Sequence, residues 1–466
     1  MHRTRAVAIL VMTAGLVVAI GCGTGATPDS SSATVTPAGK TGQATASKKK
    51  HARSANWPTY HANLARTGVD TTSPGLSNFH RTWTRQFDGS VYAEPLALGN
   101  RVYVATENNT VYALNAANGH IAWKRHLGPP VDASTLPCGN ITPVTGITGT
   151  PAISKGTLYV VAFLSDYRHV LFGLRLQGGK VGLKRNIDAP GSDPRVHQER
   201  SAASVANGRV YVPFGGMAGD CGDYRGRVVS VKTHGKAQKK TFTAGVNREG
   251  GIWAPSGAAI DGRGSLFVVT GNGDEPTGFD YGNSVIKLTP KLKQTDFYRA
   301  PNSPALNQTD TDLGSVGPTL LGGNRMFVIG KEGLGLVLST THLGGTGGDL
   351  FSQRVCSGGE GAYGGLAYKA PLVYVPCIDG LYALRMSGNS FSVAWKAGSR
   401  PGPPIVSGGV VWTIDGDAVL HGFAADSGNP VTNVALGSVT HFPTPAAGGG
   451  RLFVPADTQV IAFAGV

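Results

Sequence analysis

The residues able to do chemistry fall into a few short clusters in this sequence, and their types are narrow. Acids, amides and single cations recur in His197-Gln-Glu-Arg200, Asp220-Cys-Gly-Asp223, Glu249-Gly-Gly-Ile-Trp253, Gly271-Asn-Gly-Asp-Glu275, Asp310-Thr-Asp312 and Lys331-Glu332. The five cysteines have no CxxC spacing and the 12 histidines are scattered, which argues against zinc. There is no GxSxG, HExxH or Walker sequence, and Gly344-Gly-Thr-Gly-Gly348 lacks the Lys-Ser/Thr that phosphate binding requires. What remains is carboxylate and amide oxygen, suited to hard cations and proton transfer.

These clusters need a scaffold, and a repeat supplies it. Asn100–Gly128 reads as three short strands around tight turns, ending near Trp123. Its middle strand recurs as Arg101-Val-Tyr-Val104, Thr157-Leu-Tyr-Val160, Arg209-Val-Tyr-Val212, Ser265-Leu-Phe-Val268, Arg325-Met-Phe-Val328, Pro371-Leu-Val-Tyr374, Val410-Val-Trp-Thr413 and Arg451-Leu-Phe-Val454. Each copy is flanked by further short strands. The 68 glycines and 28 prolines suit a turn-rich chain, and no helical periodicity interrupts it. The expected fold is therefore all-β, an eight-bladed propeller of four-stranded antiparallel blades over residues 57–466, with seven blades as the alternative. The last copy lacks a fourth strand. Arg81–Phe87 mirrors Ile121–Leu127, with Trp83 in the place of Trp123, so an N-terminal strand should close the last blade and leave no free edge.

Strand order puts the D-to-A and B-to-C connections on one face, and the chemical clusters all fall there. Adjacency around the ring pairs Cys138 with Cys221 and Cys356 with Cys377, an even set suited to an oxidising compartment.

The first 56 residues read differently. Arg3 and Arg5 precede the apolar run Ala6–Ile20, too short for a comfortable membrane span, and Ala19-Ile20-Gly21-Cys22 resembles the bacterial lipoprotein signal. Residues 1–22 are thus expected to be a leader with Cys22 lipidated, and 23–56 a disordered basic tether containing Lys48-Lys49-Lys50. Of the formal charge of +14 these segments carry +6, leaving a modest +8 over about 400 residues, with no basic stripe with interleaved aromatics. Nucleic acid is not an expected partner.

Ala113-Leu-Asn-Ala-Ala-Asn-Gly119 followed by Trp123, with Asn56-Trp-Pro-Thr-Tyr60 and Arg66-Thr-Gly68, resembles the pyrroloquinoline quinone (PQQ) propellers over essentially all of residues 57–466. That family holds both quinoprotein dehydrogenases and non-enzymatic lipoproteins that bind partners, so the fold alone does not choose. For the enzymes, the resemblance implies calcium held by Asn272 with Asp223 or Asp220, Asp312 as base, Lys331 on the quinone and Trp253 beneath its ring. Each has a plainer reading: Asn272 as turn former, Asp310 and Asp312 as loop caps, Lys331 in an exposed turn, Trp253 packed between blades.

Two departures weigh against the enzyme. The family's adjacent-cysteine disulfide is missing, and Gly-rich stretches at Gly344–Gly348 and Gly358–Gly365 could fill the central funnel. The leading expectation is a lipid-anchored, extracytoplasmic, monomeric module without cofactor. It would bind an unidentified protein or small molecule on the D-to-A/B-to-C face. The alternative is a dehydrogenase dependent on PQQ and calcium.

Overall fold

The computed structural model describes residues 55–275, 278–357, 359, 361–398 and 400–466; the leader, Cys22 and all but the last two residues of the expected tether lie outside them. Eight four-stranded antiparallel blades form the propeller. Blade 1 is typical: Leu96–Gly99, Arg101–Ala105, Thr110–Asn115 and Ile121–His126 serve as strands A to D. Strands B and C are buried except for one half-buried end each, while strand D lies exposed apart from the half-buried Trp123, as the outer edge of a radial stack should. Blade 8 is closed as its missing strand demands. His80–Gln86 pairs antiparallel with Gln459–Ala464, Trp83 opposite Ala462.

The repeat's tryptophans fasten blade to blade. Trp83 Nε1 donates to Ala116 O (3.0 Å), Trp123 Nε1 to Leu176 O (2.8 Å) and Trp395 Nε1 to Ala425 O (3.1 Å). Each acceptor lies in the C-to-D turn of the next blade, where a glycine meets the ring. At Gly179 φ is +64° and a Cβ would sit 2.6 Å from the Trp123 ring, so only glycine fits. The Ala-Ala-Asn-Gly turn and the distant Trp are therefore two halves of one joint.

The leading segment threads the axis. Ala55–Trp57 pairs with strand A of blade 1. Pro58, Leu64, Ala65, Thr67 and Gly68 carbonyls then accept from Ile153, Ile260, Leu320, Tyr368 and Val406, on inner strands of five further blades (2.7–2.9 Å). Arg66, fully buried, donates from Nη2 to Ser204 in blade 3 (2.6 Å).

Both disulfides form as the ring adjacency predicts, Cys138–Cys221 and Cys356–Cys377. The Gly344–Gly348 stretch does not enter the funnel. Gly345–Thr346 instead adds a parallel strand at the outer edge of blade 4, beside Tyr298 and Arg299, because that edge still had backbone groups to pair.

Candidate functional site

One cavity of about 410 Å³ opens on the face formed by the D-to-A and B-to-C connections. Its size falls in the range of small-ligand sites. Blade 3 contributes Asp220 and Tyr224 from its B-to-C loop. Arg200 and Trp253 enter from the connections before blades 3 and 4, Asn272 and Lys331 from the B-to-C loops of blades 4 and 5, and Asp310 and Asp312 from the segment between those blades. Tyr363, of the Gly358–Gly365 stretch, lines the wall and leaves the cavity open.

Local backbone explains the convergence. At Gly271 a Cβ would meet Asp312 Oδ1 at 2.3 Å, so this glycine lets the carboxylate reach the loop backbone. Asn272 N–H then donates to Asp312 Oδ1 (2.7 Å). The Asn272 side chain is fixed at both ends, its Nδ2 donating to Asp310 Oδ1 (3.0 Å) and its Oδ1 accepting from Asn283 Nδ2 (3.1 Å). An amide oxygen has a second lone pair, which stays available to a cation. Asn272 is thus more than a turn former.

Lys331 Nζ lies 2.6 Å from Asp312 Oδ2 and 2.9 Å from Asp310 Oδ1, and 5.8 Å from the centroid of the Trp253 ring. Burial lifts the Asp312 carboxyl above its ordinary range, against the pull of Lys331 and the Asn272 N–H. Burial works against the Lys331 ammonium, but Asp312 and Asp310 hold its pKa above the usual value. Glu249 is raised by burial, opposed by Arg248, which hydrogen-bonds its carboxylate. Tyr224 donates to Asp220.

The backbone marks the same place. Asp220, Glu249, Asp310 and Phe442, all lining the cavity, have φ between +47° and +69°. Left-handed conformations of this kind, above all at Phe442, persist where surroundings impose them, and they concentrate at functional sites.

Trp253, Asn272, Asp312 and Lys331 therefore share one cavity. Asp223 does not: it is exposed and off the lining, while Asp220, three residues earlier, faces in. Between them Cys221 is drawn to Cys138, and the loop turns outward. Sequence reasoning gave no role to Arg200, Asn307, Tyr363, His441 or Phe442. The His441-Phe442 pair lies in the connection before blade 8, and its placement on the elaborated face was the one available signal. Among the described residues, the one set of three His, Cys, Asp or Glu donors within 4.8 Å is Cys356, Cys377 and Asp379, whose sulfurs are already joined to each other.

The donor chemistry suits a hard cation beside a planar ring. Asp220, Asp310, Asp312 and Glu249 outnumber Lys331 and Arg200 on the lining, and Asn272 adds a neutral oxygen. Trp253 presents a half-buried ring with a cation above it.

Comparison with known proteins agrees with this architecture. A family model described as outer membrane protein assembly factor BamB matches residues 80–215. A polyvinylalcohol dehydrogenase of Pseudomonas sp is 26% identical over 368 residues, covering 68% of this chain and 55% of that protein. The chain thus spans about half the length of this curated relative. Among solved structures, the quinohemoprotein alcohol dehydrogenase ADHIIG from Pseudomonas putida HK5 superposes with a TM-score of 0.70 at 14% identity, covering 88% of this chain and 80% of that one. BamB from Moraxella catarrhalis gives 0.54 at 14%, covering 83% and 98%. With its eight blades and their repeat, the chain has the fold of these propellers and is similar to the PQQ-like family.

Proposed function

We propose that this chain is a quinoprotein-type dehydrogenase that oxidises alcohols in the cavity beside Asp312. One observation carries the reading: Asp312, inside a ligand-sized cavity, is held by the Asn272 N–H and Lys331 while Lys331 lies over the Trp253 ring. PQQ would rest against Trp253 within reach of Lys331. A calcium-like cation would take oxygen from Asn272 and a carboxylate such as Asp220. When bound, the quinone supplies the two-electron acceptor for the carbinol hydride.

The chain's own residues do the rest. Asp312, with its raised pKa, accepts the hydroxyl proton, and a base tuned toward working pH is the efficient kind. Lys331 keeps that carboxylate in place and presents positive charge where oxyanion character develops. Rate should rise with pH as Asp312 deprotonates. The likeness to a polyvinylalcohol dehydrogenase makes a secondary alcohol on a carbon chain the first substrate to try.

The test is reconstitution of the purified propeller with PQQ and calcium, followed by quenching of tryptophan fluorescence and dye-linked oxidation of secondary alcohols. Binding and turnover are expected, with Asp312→Asn retaining binding and losing about 100-fold or more in rate. Failure to bind PQQ at micromolar concentration would overturn the reading. It would leave the second one, a ligand- or protein-binding module on the same face, favoured by the family-model match over 80–215.

Export with a lipid on Cys22 is part of the same proposal, supported by the two disulfides. Labelled palmitate should enter the wild type and not Cys22→Ser; equal labelling would sink the anchor.

A further inference from the structure

A second set of ionisable groups meets away from the candidate site, in the seam between blades 2 and 3. A cavity of about 10 Å³ there is lined by His169, Asp188, Ser192, His197, Phe214 and Arg227, among others. That is the space of one water or one monatomic ion. Arg227 opens strand C of blade 3 (Arg227–Lys232), and its Nε and Nη1 are buried with no acceptor among the described residues. His197 is 4% exposed, and its Nε2 is also unpartnered among them. Asp188 is the one acid on the lining, and it is already taken. Both its oxygens accept from the His169 N–H (3.2 Å), and Oδ1 also meets the ring Nδ1 of His169 (2.8 Å). Donors of a cation thus face a small space that offers them no acceptor, and burial makes that arrangement costly.

The His197 ring shows what the space lacks. Its Nδ1 lies 2.8 Å from the Asp193 carbonyl, which can only accept, so that nitrogen carries a proton. The Arg225 carbonyl also favours the protonated ring. Two carbonyls therefore favour an imidazolium, yet burial, with Arg227 and His169 close by, pushes the His197 pKa down to about 4. Tyr224 meets the ring edge-on at 6.2 Å. Burial and then Arg225 pull the Arg227 pKa down, opposed by Asp223. A negative ion beside Arg227 would cancel the repulsion and let His197 take its second proton. Size sets the class of ion: sulfate, phosphate and carboxylates exceed the space, whereas a chloride fits it and needs only N–H donors.

We propose that the seam between blades 2 and 3 holds a single halide ion between the Arg227 guanidinium and the His197 ring. The site stands apart from the quinoprotein reading and needs none of its residues. It does lie behind the large cavity. His197-Gln198 pairs with Gly216 and Gly215 of strand B in blade 3, and Gln198 and Gly216 line that cavity. The ion ties the connection between blades 2 and 3 to strand C, and so holds this wall from the rear.

The test uses the whole chain and compares sodium chloride and sodium bromide with sodium gluconate at equal ionic strength, which holds screening constant. The melting temperature should rise saturably with either halide and not with gluconate. Arg227→Met should abolish that rise. Halide affinity should grow severalfold from pH 7 to pH 5 in the wild type, because binding draws a proton onto His197, and His197→Gln should lose that dependence. Crystals grown in bromide and read by anomalous scattering locate the ion without any substitution. A peak beside Arg227 and His197 is expected; a water in its place would overturn the proposal. So would a halide response no larger than that of gluconate, or one that Arg227→Met leaves intact. Halide affinity that is flat with pH in the wild type would remove His197 from the site and overturn the proposal as stated. None of these readouts involves PQQ, so the quinoprotein reading can fail without touching them.

Discussion

Asp312 and Glu107 show how burial is used in two ways. Asp312 has two partners and faces a cavity, so its raised pKa can serve proton transfer. Glu107 is 2% exposed, accepts from Gly146 N–H (2.6 Å) and leaves Oε1 without a partner. Burial raises its pKa to about 7. An acid whose folded pKa exceeds its unfolded value holds protons more tightly when folded, so stability falls as pH rises from the unfolded pKa to the folded one. The loss should run from about pH 4.5 to 7 and reach roughly 3 kcal/mol. Glu107→Gln, whose carbonyl oxygen still accepts from Gly146, should flatten that part of the urea-midpoint profile. An unchanged slope would refute the assignment. At this scale the sequence was legible where residues sit in recognisable loop patterns, as Asn272, Asp312 and Lys331 do. Arg200 and Phe442 were not legible, because what matters in each is a contact between loops more than 200 residues apart. Asp223 and Asp220 could not be told apart without knowing which way Cys221 is pulled.

The element that carries the fold is the joint between a D-strand tryptophan and the next blade's C-to-D glycine turn. Trp123 joins blade 1 to blade 2 through Leu176 O and Gly179, and Arg125 Nε adds a bond to Gly179 O (3.1 Å). Gly179→Ala would need a left-handed φ and would drive its Cβ into the indole. It should cost about 1–3 kcal/mol, read as a lower urea midpoint with the same slope. Gly178→Ala, also left-handed but with nothing within 4 Å of its Cβ, isolates the backbone part of that cost. Equal effects of the two would mean that packing on Trp123 contributes nothing. The joint was half visible in the sequence. The Gly and the Trp were both read as repeat marks, but a one-dimensional pattern assigns them to a single blade. The contact lies between blades.

The propeller is a ring whose candidate site lies on one side. Blade count and closure were legible because eight near-copies and one orphan strand leave a single arrangement without an open edge. The position of the Gly344–Gly348 stretch was not legible, since a glycine-rich sequence specifies flexibility and not destination. It pairs at the rim of blade 4 and leaves the funnel free.

The leading segment has a consequence in time. Residues 55–68 touch inner strands of seven blades, and His80–Gln86 waits for Gln459–Ala464. The early strand His80–Gln86 is therefore complete only when Gln459–Ala464, far later in the chain, arrives. Until then the early residues have no finished surface to rest on, although blades built of consecutive strands can form locally. Closure of the ring is thus a late step, set by the pairing of His80–Gln86 with Gln459–Ala464.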